Sequence, residues 1–395
     1  MAEYVSATRA QARRRRRVEA EATSIVRRLD WMLLAATGGI VAFGLWVISG
    51  VTRTDVAGNP HYYVVRQGVF IAIGLVALVA AVLIDPAVYK RYKRPIYAGT
   101  LGLMAIVFLG GTVARGSKRW IDLGFFRFQP SEFGKLLFVL FLAGFLADRG
   151  KRIGEIGVAA AAIGLALAPV LLVFVEPDVG TALVYFAALA AVLFVAGVRW
   201  LHLAAVGAIA LTVALAVLWW LPAAGLPVLK PYQQQRLTAF LHSSSDSQGT
   251  TYNQTQSEIA VGAGGLRGRG VHGATQTNLD YLPEHATDFA FASLAEQRGF
   301  VGAGLLLLLY LLVVWRGLKI VTAARDLFSA VVAGGIVSTL LFQVFVNVGM
   351  TIRIAPITGI PLPMVSVGGS SMVANLAAIG VLQAIHVRGR RRGLR

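Results

Sequence analysis

The chain contains 395 residues, of which 56% are hydrophobic and 43 are glycine, while only 14% are charged. With a mean hydropathy of +0.68, this composition excludes a soluble multidomain protein, because soluble domains carry about 25% charged residues. The sequence has no cysteine, which excludes a disulfide framework and a thiol nucleophile. Its net charge of +18 does not predict nucleic-acid binding, because the basic residues are distributed between apolar runs and two tails.

Ten apolar stretches are long enough to cross a membrane as helices, which needs about 20 residues each. The strands of a membrane barrel would alternate in polarity, and these stretches do not. The predicted spans are residues 31–51, 66–84, 95–114, 130–147, 155–175, 178–197, 200–221, 299–316, 327–350 and 366–387. The sequence therefore predicts an all-α polytopic membrane protein whose first span is retained, since it is too long for a signal peptide.

The distribution of Lys and Arg predicts that both termini are cytoplasmic, because this orientation places 24 of the 37 basic residues inside. Residues 1–30 then form a basic cytoplasmic tail, expected to be mobile, and residues 388–395 form a second basic tail. Between them, residues 31–387 form the membrane domain. A large extracellular loop, residues 223–298, joins the seventh and eighth spans and is long enough to be functional.

The outer loop after the third span, residues 115–132, combines basic and aromatic residues. One interpretation is an amphipathic segment at the lipid headgroups, anchored by aromatic side chains such as Trp120. The other is that Lys118, Arg119 and Arg127 bind a phosphate-bearing substrate, because guanidinium groups match phosphate oxygens.

Two pairs of ionisable residues are predicted near the outer ends of spans. Glu132 and Lys135 lie three residues apart on one helical face, where they either pair with each other or line a cavity. Glu176 and Asp178 flank a proline. Asp178 is suited to cap the next helix, and the alternative is that the pair organises a polar cavity or binds a cation.

The large loop carries the densest set of polar residues. Candidate substrate-binding residues are Arg236 and, in a glycine-rich segment over residues 256–270, Gln256 and Ser257. The glycines follow no predicted strand, so they are not a nucleotide-binding fingerprint. They are expected to let backbone N–H groups approach a ligand or turn tightly.

Acidic residues follow in the same loop, namely Asp280, Glu284, Asp288 and Glu296. If the chain is helical from Thr287, Asp288 and Glu296 lie about two turns apart on one side. A carboxylate is a suitable general base for activating a sugar hydroxyl. The alternative is that Asp288 caps a helix or interacts with its dipole.

The last outer loop, over residues 347–371, contains several prolines and glycines next to a span. This pattern predicts a re-entrant or broken helix, which is tolerated only where it lines protein or water. A helix beginning near Ser366 and Ser370 would favour an anion.

Five ordered motifs resemble the SEDS family, the peptidoglycan polymerases RodA, FtsW and SpoVE, and the resemblance covers nearly all of residues 30–387. The motifs are RWIDLGFFRFQPSE (119–132), EPDVGTA (176–182), QSEIAVGAGGLRGRG (256–270), LPEHATDF (282–289) and PITGIPLPMVSVGGSS (356–371). Residues 347–350 and 356–363 look more like the RodA branch, which acts in elongation, than the FtsW branch, which acts in division.

The resemblance implies a ten-span enzyme of the bacterial cytoplasmic membrane that polymerises lipid II, an undecaprenyl-diphosphate-linked disaccharide-pentapeptide, at the outer face. Asp288 matches the essential acid of the family, and Trp120, Glu132 and Glu296 match other motif positions. The implied mechanism is an inverting glycosyl transfer with Asp288 as general base. Arg119 is one of the cations expected to stabilise the negative charge of the leaving diphosphate.

Lys118 and Arg236 are the other cations expected to stabilise the leaving diphosphate. The motifs specify no cofactor, although a divalent cation, Mg²⁺ or Mn²⁺, is a candidate. The implied partners are a class B penicillin-binding protein, which is a transpeptidase, and other membrane proteins of the elongation complex. The chain departs from the family pattern at Ala286, Gln297 and Arg353, where His, Glu and Gly are usual.

Three alternatives remain at this stage: a transporter or flippase for lipid-linked precursors, a division-specific polymerase of the FtsW type, and a scaffold that docks partners through its large loop. Intramembrane charges that line a translocation path would favour the transporter. No inverted repeat of spans is visible in the sequence, and the polar residues are concentrated on one side, which favours the enzyme.

Overall fold

The computed structural model describes residues 25–114, 117–124, 126–176, 178–225 and 250–389. Most of the N-terminal tail, whose mobility was predicted, and residues 390–395 of the C-terminal tail therefore lie outside the described residues. The same holds for Arg236.

Ten long helices make up most of the described chain. They are α1 Trp31–Val51, α2 Tyr62–Leu83, α3 Lys93–Gly110, α4 Pro130–Ala147, α5 Ile156–Val175, α6 Val179–Ala196, α7 Trp200–Leu215, α8 Ala290–Thr322, α9 Leu327–Thr351 and α10 Gly369–Gly389. Among the described residues, eight of these helices are long and apolar enough to cross a membrane, and α3 and α7 are not among them. The predicted all-α polytopic architecture is confirmed, whereas the count of ten spans and the orientation of the termini stay predictions.

Shorter elements connect the long helices. They are the helix Pro86–Arg91, the 3₁₀ turn Gly150–Arg152, a π-helical turn Ala216–Trp220 that continues α7 into Leu221–Ala223, and, within the large loop, the helices Thr250–Gly264, Gly270–Gly273 and Thr275–Asn278. The described part of the large loop therefore contains three helices joined by turns.

Aspartates begin three of the long helices. The side chains of Asp30, Asp178 and Asp326 each accept a hydrogen bond from a backbone N–H of the first turn of α1, α6 and α9. Such caps satisfy donors that have no partner inside the helix. The end of α6 is set by Gly197, whose left-handed backbone (φ 87°) closes the helix.

Helix α8 contains a kink at Gly299, where the backbone leaves the helical region (φ 66°, ψ −167°). A side chain cannot be accommodated here, because a Cβ would lie 2.3 Å from the backbone N of Gly268. The kink separates residues 290–298 from the longer part of α8, which continues to Thr322. This position agrees with the predicted start of the eighth span at residue 299.

The helices of the bundle differ in how much of their surface is buried. Helices α4, α9 and α10 bury most of their residues, whereas α2 and α5 bury only about a third or less of theirs. Close packing joins α2 and α10, since a Cβ at Gly380 would lie 2.4 Å from the carbonyl oxygen of Leu78. Small residues allow this approach between helices in a membrane.

The loop after α3 forms a small three-stranded antiparallel sheet, which the sequence did not predict. Its strands are β1 Thr112–Ala114, β2 Ser117–Asp122 and β3 Arg127–Phe128, in the order β1-β2-β3. Thr112 pairs with Trp120, and Ile121 pairs with Phe128. The predicted third span, residues 95–114, therefore ends early, because the chain turns from helix to strand after Gly110.

The segment of residues 352–368, between α9 and α10, is irregular and not the predicted broken helix. It is nevertheless buried inside the protein, since Ile360, Leu362 and Val365 are at most 2% exposed. Its backbone is held locally, as the N–H of Leu362 donates to the Ser366 hydroxyl at 2.9 Å. Irregular backbone at this depth is tolerated because the protein, rather than lipid, surrounds it.

Candidate functional site

A cavity of about 400 Å³ lies at the end of the bundle where α4, α6, α8 and α10 begin. The predicted site residues that line it are Arg119, Trp120, Glu132, Asp178, Glu284, Thr287, Asp288 and Ser370. The irregular segment contributes Ile357, Thr358, Gly359 and Pro361 to its wall. The structure thus brings together residues from four of the five sequence motifs.

Helix N-termini converge on this cavity. Gln129 precedes α4, Val179 opens α6, and Gly369 opens α10, and all three residues line the cavity. The N-terminal end of a helix carries a partial positive charge and unpaired N–H groups. Their convergence favours an anionic ligand, as was expected for the start of the last helix.

Asp288 is half-buried in the cavity wall, immediately before α8, which begins at Ala290 rather than at Thr287. The backbone around it is fixed by side chains of other elements. Asn347 of α9 donates from Nδ2 to the carbonyl oxygens of Asp288 at 2.9 Å and of Ile360 at 2.8 Å. The Ser366 hydroxyl donates to the carbonyl oxygen of Thr287. These bonds hold the carboxylate in a defined position at the edge of the cavity.

Glu296 does not line the cavity, contrary to the expected arrangement beside Asp288. Its side chain is fully buried. Its two oxygens accept hydrogen bonds from the backbone N–H of Gln276 at 2.8 Å, the N–H of Thr277 at 3.0 Å and the Thr277 hydroxyl at 2.7 Å. Glu296 therefore fixes the fold of the large loop.

Arg119 and Asp178 form an ion pair in the cavity wall, with Nη1 and Oδ2 at 3.1 Å. Asp178 is 3% exposed and also accepts hydrogen bonds from the N–H of Thr181 and from Nε2 of Gln129. Asp178 caps α6, as one interpretation predicted, and it also lines the cavity, whereas Glu176 does not. The guanidinium of Arg119 is thereby placed beside the converging helix N-termini.

Glu132 and Lys135 pair with each other, with Nζ and Oε1 at 2.8 Å. Glu132 also lines the main cavity, and both residues line a smaller adjacent cavity of about 30 Å³. The second carboxylate oxygen, Oε2, has no hydrogen-bonding partner among the described residues. The pair therefore retains an acceptor next to the cavity.

Glu176 lies in the turn between α5 and α6, is 1% exposed and does not line the cavity. Neither of its carboxylate oxygens has a hydrogen-bonding partner among the described residues. Burial raises the pKa of Glu176 to about 8, with the charge of Asp178 adding to the shift and that of Arg119 opposing it. A neutral carboxyl group is thus favoured behind the cavity wall.

The predicted residues Gln256, Ser257, Asp280 and Ser366 do not line the cavity. Lys118 belongs to β2. Ser257 is buried and donates to the carbonyl oxygen of Thr351, and Ser366 supports the Asp288 loop as described. Gln256 is partly exposed on the loop helix, and the Asp280 side chain is 80% exposed.

One group of candidate metal ligands occurs among the described residues, formed by Asp55, Asp280 and His285, whose ligand atoms lie within 4.8 Å of one another. Both ring nitrogens of His285 already have partners, since Nε2 lies 3.1 Å from Asp55 and Nδ1 lies 3.2 Å from the carbonyl oxygen of Leu282. Burial alone would lower the pKa of His285, but the hydrogen bond and charge of Asp55 outweigh it and raise that pKa. An ion pair accounts for this arrangement.

Asn347 and Gln129 belong to the site, although the sequence did not predict either of them as a site residue. The Asn347 side chain donates to the carbonyl oxygen of Asp288. The Gln129 side chain donates to Asp178, and its backbone N–H donates to the Ser370 hydroxyl. A signal was present, because each is an amide side chain within or directly before an apolar helix. Their partners are remote in sequence, however, and only the fold reveals them.

Known proteins are similar to this chain over nearly its whole length. A family model for cell cycle proteins, which covers FtsW, RodA and SpoVE, matches residues 27–391. Peptidoglycan glycosyltransferase MrdB of Escherichia coli strain K12 is 37% identical over 357 residues, which are 90% of this chain and 94% of MrdB.

Two solved structures share the fold. One, reported as the structural coordination of polymerization and crosslinking by a peptidoglycan synthase complex, superposes with a TM-score of 0.76 at 31% identity and covers 92% of this chain and 99% of its own. The crystal structure of the rod shape determining protein RodA from Thermus thermophilus has a TM-score of 0.67 at 29% identity, with 92% and 98% covered.

These similarities and the eight apolar helices identify a multi-pass protein of the bacterial cytoplasmic membrane. The similarity to MrdB and to RodA supports the RodA branch that residues 347–350 and 356–363 favoured. The motifs, the fold and the family match agree, and the chain belongs to the SEDS family of FtsW, RodA and SpoVE proteins.

Proposed function

We propose that this peptidoglycan glycosyltransferase polymerises lipid II into glycan strands, with Asp288 as the general base. The observation that carries the proposal is the position of Asp288, at the edge of a cavity on which several helix N-termini and Arg119 converge. The arrangement places a proton acceptor beside a site that favours an anion. Glycosyl transfer from a lipid diphosphate requires both groups.

In the proposed reaction, Asp288 accepts the proton of the C4 hydroxyl of an acceptor N-acetylglucosamine. The hydroxyl oxygen forms a bond to the anomeric carbon of the donor N-acetylmuramic acid, and the bond from that carbon to the diphosphate breaks. Attack from the face opposite the leaving group gives inversion. The charge that develops on the diphosphate is stabilised by Arg119 and by the N-termini of α6 and α10.

Fixation of the Asp288 backbone supports this role. The hydrogen bonds from Ser366 and Asn347 hold the peptide groups before and after Asp288, respectively. A base that is already positioned loses less entropy when the acceptor binds. Glu284, which accepts a hydrogen bond from the Thr287 hydroxyl at 2.7 Å, is placed to bind sugar hydroxyls in the same wall.

For the membrane arrangement we infer ten spans, with α3 and α7 added to the eight apolar helices, and both termini in the cytoplasm. Residues 31–387 then form the membrane domain, and the large loop, residues 223–298, is extracellular. The distribution of Lys and Arg supports this orientation. The cavity then opens at the outer face of the membrane, where lipid II is polymerised.

We also propose that the protein acts in cell elongation with a class B penicillin-binding protein and other membrane proteins of the elongation complex. The similarity to RodA and to a structure that concerns polymerization and crosslinking by a peptidoglycan synthase complex supports such a partner.

The test is polymerisation of lipid II by purified protein in detergent, read as glycan strands on a gel. The Asp288→Asn variant keeps the shape of the side chain but removes the base, so we expect a loss of at least about 100-fold. Asp280→Asn, in the same loop but 80% exposed and outside the cavity, is the matched control. A chelator added to the wild type tests the contribution of Mg²⁺ or Mn²⁺.

Polymer made by Asp288→Asn at the wild-type rate would refute the role of Asp288. Absence of polymer from the wild type, together with lipid II movement across sealed vesicles, would instead favour the transporter. A flippase needs two compartments and forms no glycosidic bond, so the two activities are separable.

A further inference from the structure

A second, larger recess of about 1220 Å³ lies at the opposite end of the bundle. Its walls are the start of α3 and the end of α4, and residues 148–152, which lead toward α5, form its rim. We call it the basic groove. None of the groups assigned to glycosyl transfer lies in it.

The groove is strongly cationic. Its basic lining residues are Arg91, Lys93, Arg94, Arg149, Lys151 and Arg152, and the only acidic residue among its lining is Asp148. Part of this charge is neutralised, because Lys93 pairs with Asp148 and Arg152 pairs with Glu155. Arg94 and Lys151, however, are exposed and form no ion pair among the described residues. The groove therefore carries excess positive charge at its rim.

The floor of the groove is apolar and aromatic. The ring of Tyr97 stacks on that of Phe141, with centroids 4.0 Å apart, and the Tyr97 hydroxyl donates to the carbonyl oxygen of Leu165 at 2.8 Å. The guanidinium of Arg149 lies 3.8 Å above the ring of Phe145. The Arg149 cation thus lies directly over an apolar ring.

The helices beside the groove face lipid. Ile106 of α3 is 49% exposed, and Ile156 and Leu167 of α5 are 71% and 48% exposed. Large apolar side chains exposed on membrane helices are expected to contact acyl chains. Helices α3 and α5, which both contribute to the groove, therefore carry exposed apolar surface, and the groove's cations lie at helix ends, where we expect lipid headgroups.

We propose that the basic groove binds an acidic phospholipid. Its phosphate contacts Arg94 and Lys151, and an acyl chain lies against Tyr97 and Phe141. Guanidinium and ammonium groups bind phosphate oxygens, and basic recesses between membrane helices are suited to acidic headgroups. Orientation of the protein in the membrane needs exposed cations only and does not account for an aromatic floor beneath them.

The chain's own tails are excluded as the occupant by their charge. Residues 1–24 contain six arginines and three glutamates, and residues 390–395 contain four arginines and no acidic residue. Both segments are repelled by a cationic surface. An external anion with an apolar part is the ligand whose chemistry matches the groove.

The experiment is native mass spectrometry of the purified full-length protein in detergent, titrated with phosphatidylglycerol or with phosphatidylcholine. The groove variant carries Arg94→Gln and Lys151→Gln. The control variant carries Arg27→Gln and Lys319→Gln, two exposed cations outside the groove, so that the net charge falls by the same amount. All four positions are exposed, so both variants are expected to fold.

We expect the wild type to prefer phosphatidylglycerol. The groove variant should bind it roughly 30-fold more weakly, if each cation contributes about 1 kcal/mol. The control variant should retain most of the affinity. Equal losses in the two variants, or displacement of the lipid by millimolar inorganic phosphate, would overturn the proposal.

This inference rests on the proposed membrane spans and not on the glycosyl transfer mechanism. Polymerisation of lipid II is measured on the same preparations, and we expect the groove variant to remain active in detergent. A failure of the Asp288 mechanism would therefore leave the lipid-binding result unaffected.

Discussion

Two buried carboxylates at opposite ends of the helix bundle have different surroundings. At the end that carries the basic groove, Asp30 is 3% exposed and forms an ion pair with Arg316 at 2.6 Å. At the cavity end, Glu176 is 1% exposed and has no hydrogen-bonding partner among the described residues. Burial would raise the pKa of Asp30, but the hydrogen bond with Arg316 lowers it, whereas burial raises the pKa of Glu176 to about 8.

The other carboxylates at the two ends differ less in their pairing. At the basic end, Asp85 pairs with Arg388 and Asp148 pairs with Lys93. At the cavity end, Asp178 pairs with Arg119 and Glu132 pairs with Lys135, but the second carboxylate oxygen of Glu132 lacks a partner among the described residues. Paired charges join helix ends and stabilise the fold. Acceptors without partners cost stability. Of Glu132 and Glu176, only Glu132 lines the cavity, where a bound ligand can donate to its second oxygen.

The largest effect on this comparison is expected from Asp30→Ala. The change leaves the guanidinium of Arg316 unpaired at a site where 17% of its side chain is exposed. Removing one partner of a buried ion pair costs about 3–5 kcal/mol, so thermal unfolding in detergent should occur at a much lower temperature. Asp85→Ala is the control, because the Asp85 side chain is 55% exposed. Equal melting temperatures for the two variants would show that the Asp30 pair is not stabilising.

A second expected effect concerns the support of Asp288. Asn347→Ala removes the donor to the carbonyl oxygens of Asp288 and Ile360, and we expect the polymerisation kcat to fall about 10- to 100-fold because the base is no longer fixed. KM should change little. Gln343→Ala is the matched control, one turn away on α9, where the amide is also buried but its Nε2 has no hydrogen-bonding partner among the described residues.

Equal kcat values for the Asn347 and Gln343 variants would contradict a positioning role. The comparison is internally controlled, since both changes remove a buried amide from the same helix. A loss confined to Asn347→Ala therefore reports the hydrogen bond rather than the space left behind.

A third prediction concerns pH and Glu176. The raised pKa of about 8, against an ordinary value of 4.5, means that the folded protein holds this proton more tightly than the unfolded chain. The associated stability is fully present below pH 4.5 and is lost as pH rises through 8. Glu176→Gln removes the titrating group. We therefore expect the melting temperature of this variant to fall less between pH 5 and pH 9 than that of the wild type. Identical pH profiles would show that Glu176 is ionised in the folded protein.

The smallest effect is expected from Arg152→Gln at the rim of the basic groove. Arg152 and Glu155 form an ion pair with exposed side chains, and such pairs contribute little because water screens both charges. The melting temperature should not change measurably. A clear decrease would show that paired charges at this end stabilise the protein even when they are exposed.

Much of the architecture was predictable because it depends on local composition. Long apolar stretches in lipid must be helical, and the positions of α1, α4, α6 and α9 agree with the predicted spans to within about two residues, the usual uncertainty of helix ends. The motifs were equally informative, and the family and the enzymatic class that they implied are confirmed. The roles of individual site residues stay predictions.

Contacts between residues far apart in sequence were not predictable. Glu296 follows Asp288 by eight residues, yet its carboxylate turns away to bind Gln276 and Thr277, because three donors of the large loop are buried beside it. The small sheet after α3 likewise depends on how three short segments meet, and no local periodicity marks it.

The sequence by itself determined that this protein is a helical membrane enzyme of the SEDS family, because hydropathy and ordered motifs are properties of the chain. Only the tertiary structure decided which polar groups are paired. Asp30 and Gln383, 353 residues apart, exchange two backbone-to-amide hydrogen bonds, whereas Glu176 is buried without one. Hydrogen bonding at a buried site depends on which elements pack around it, and packing joins segments whose sequence separation carries no information about their distance in space.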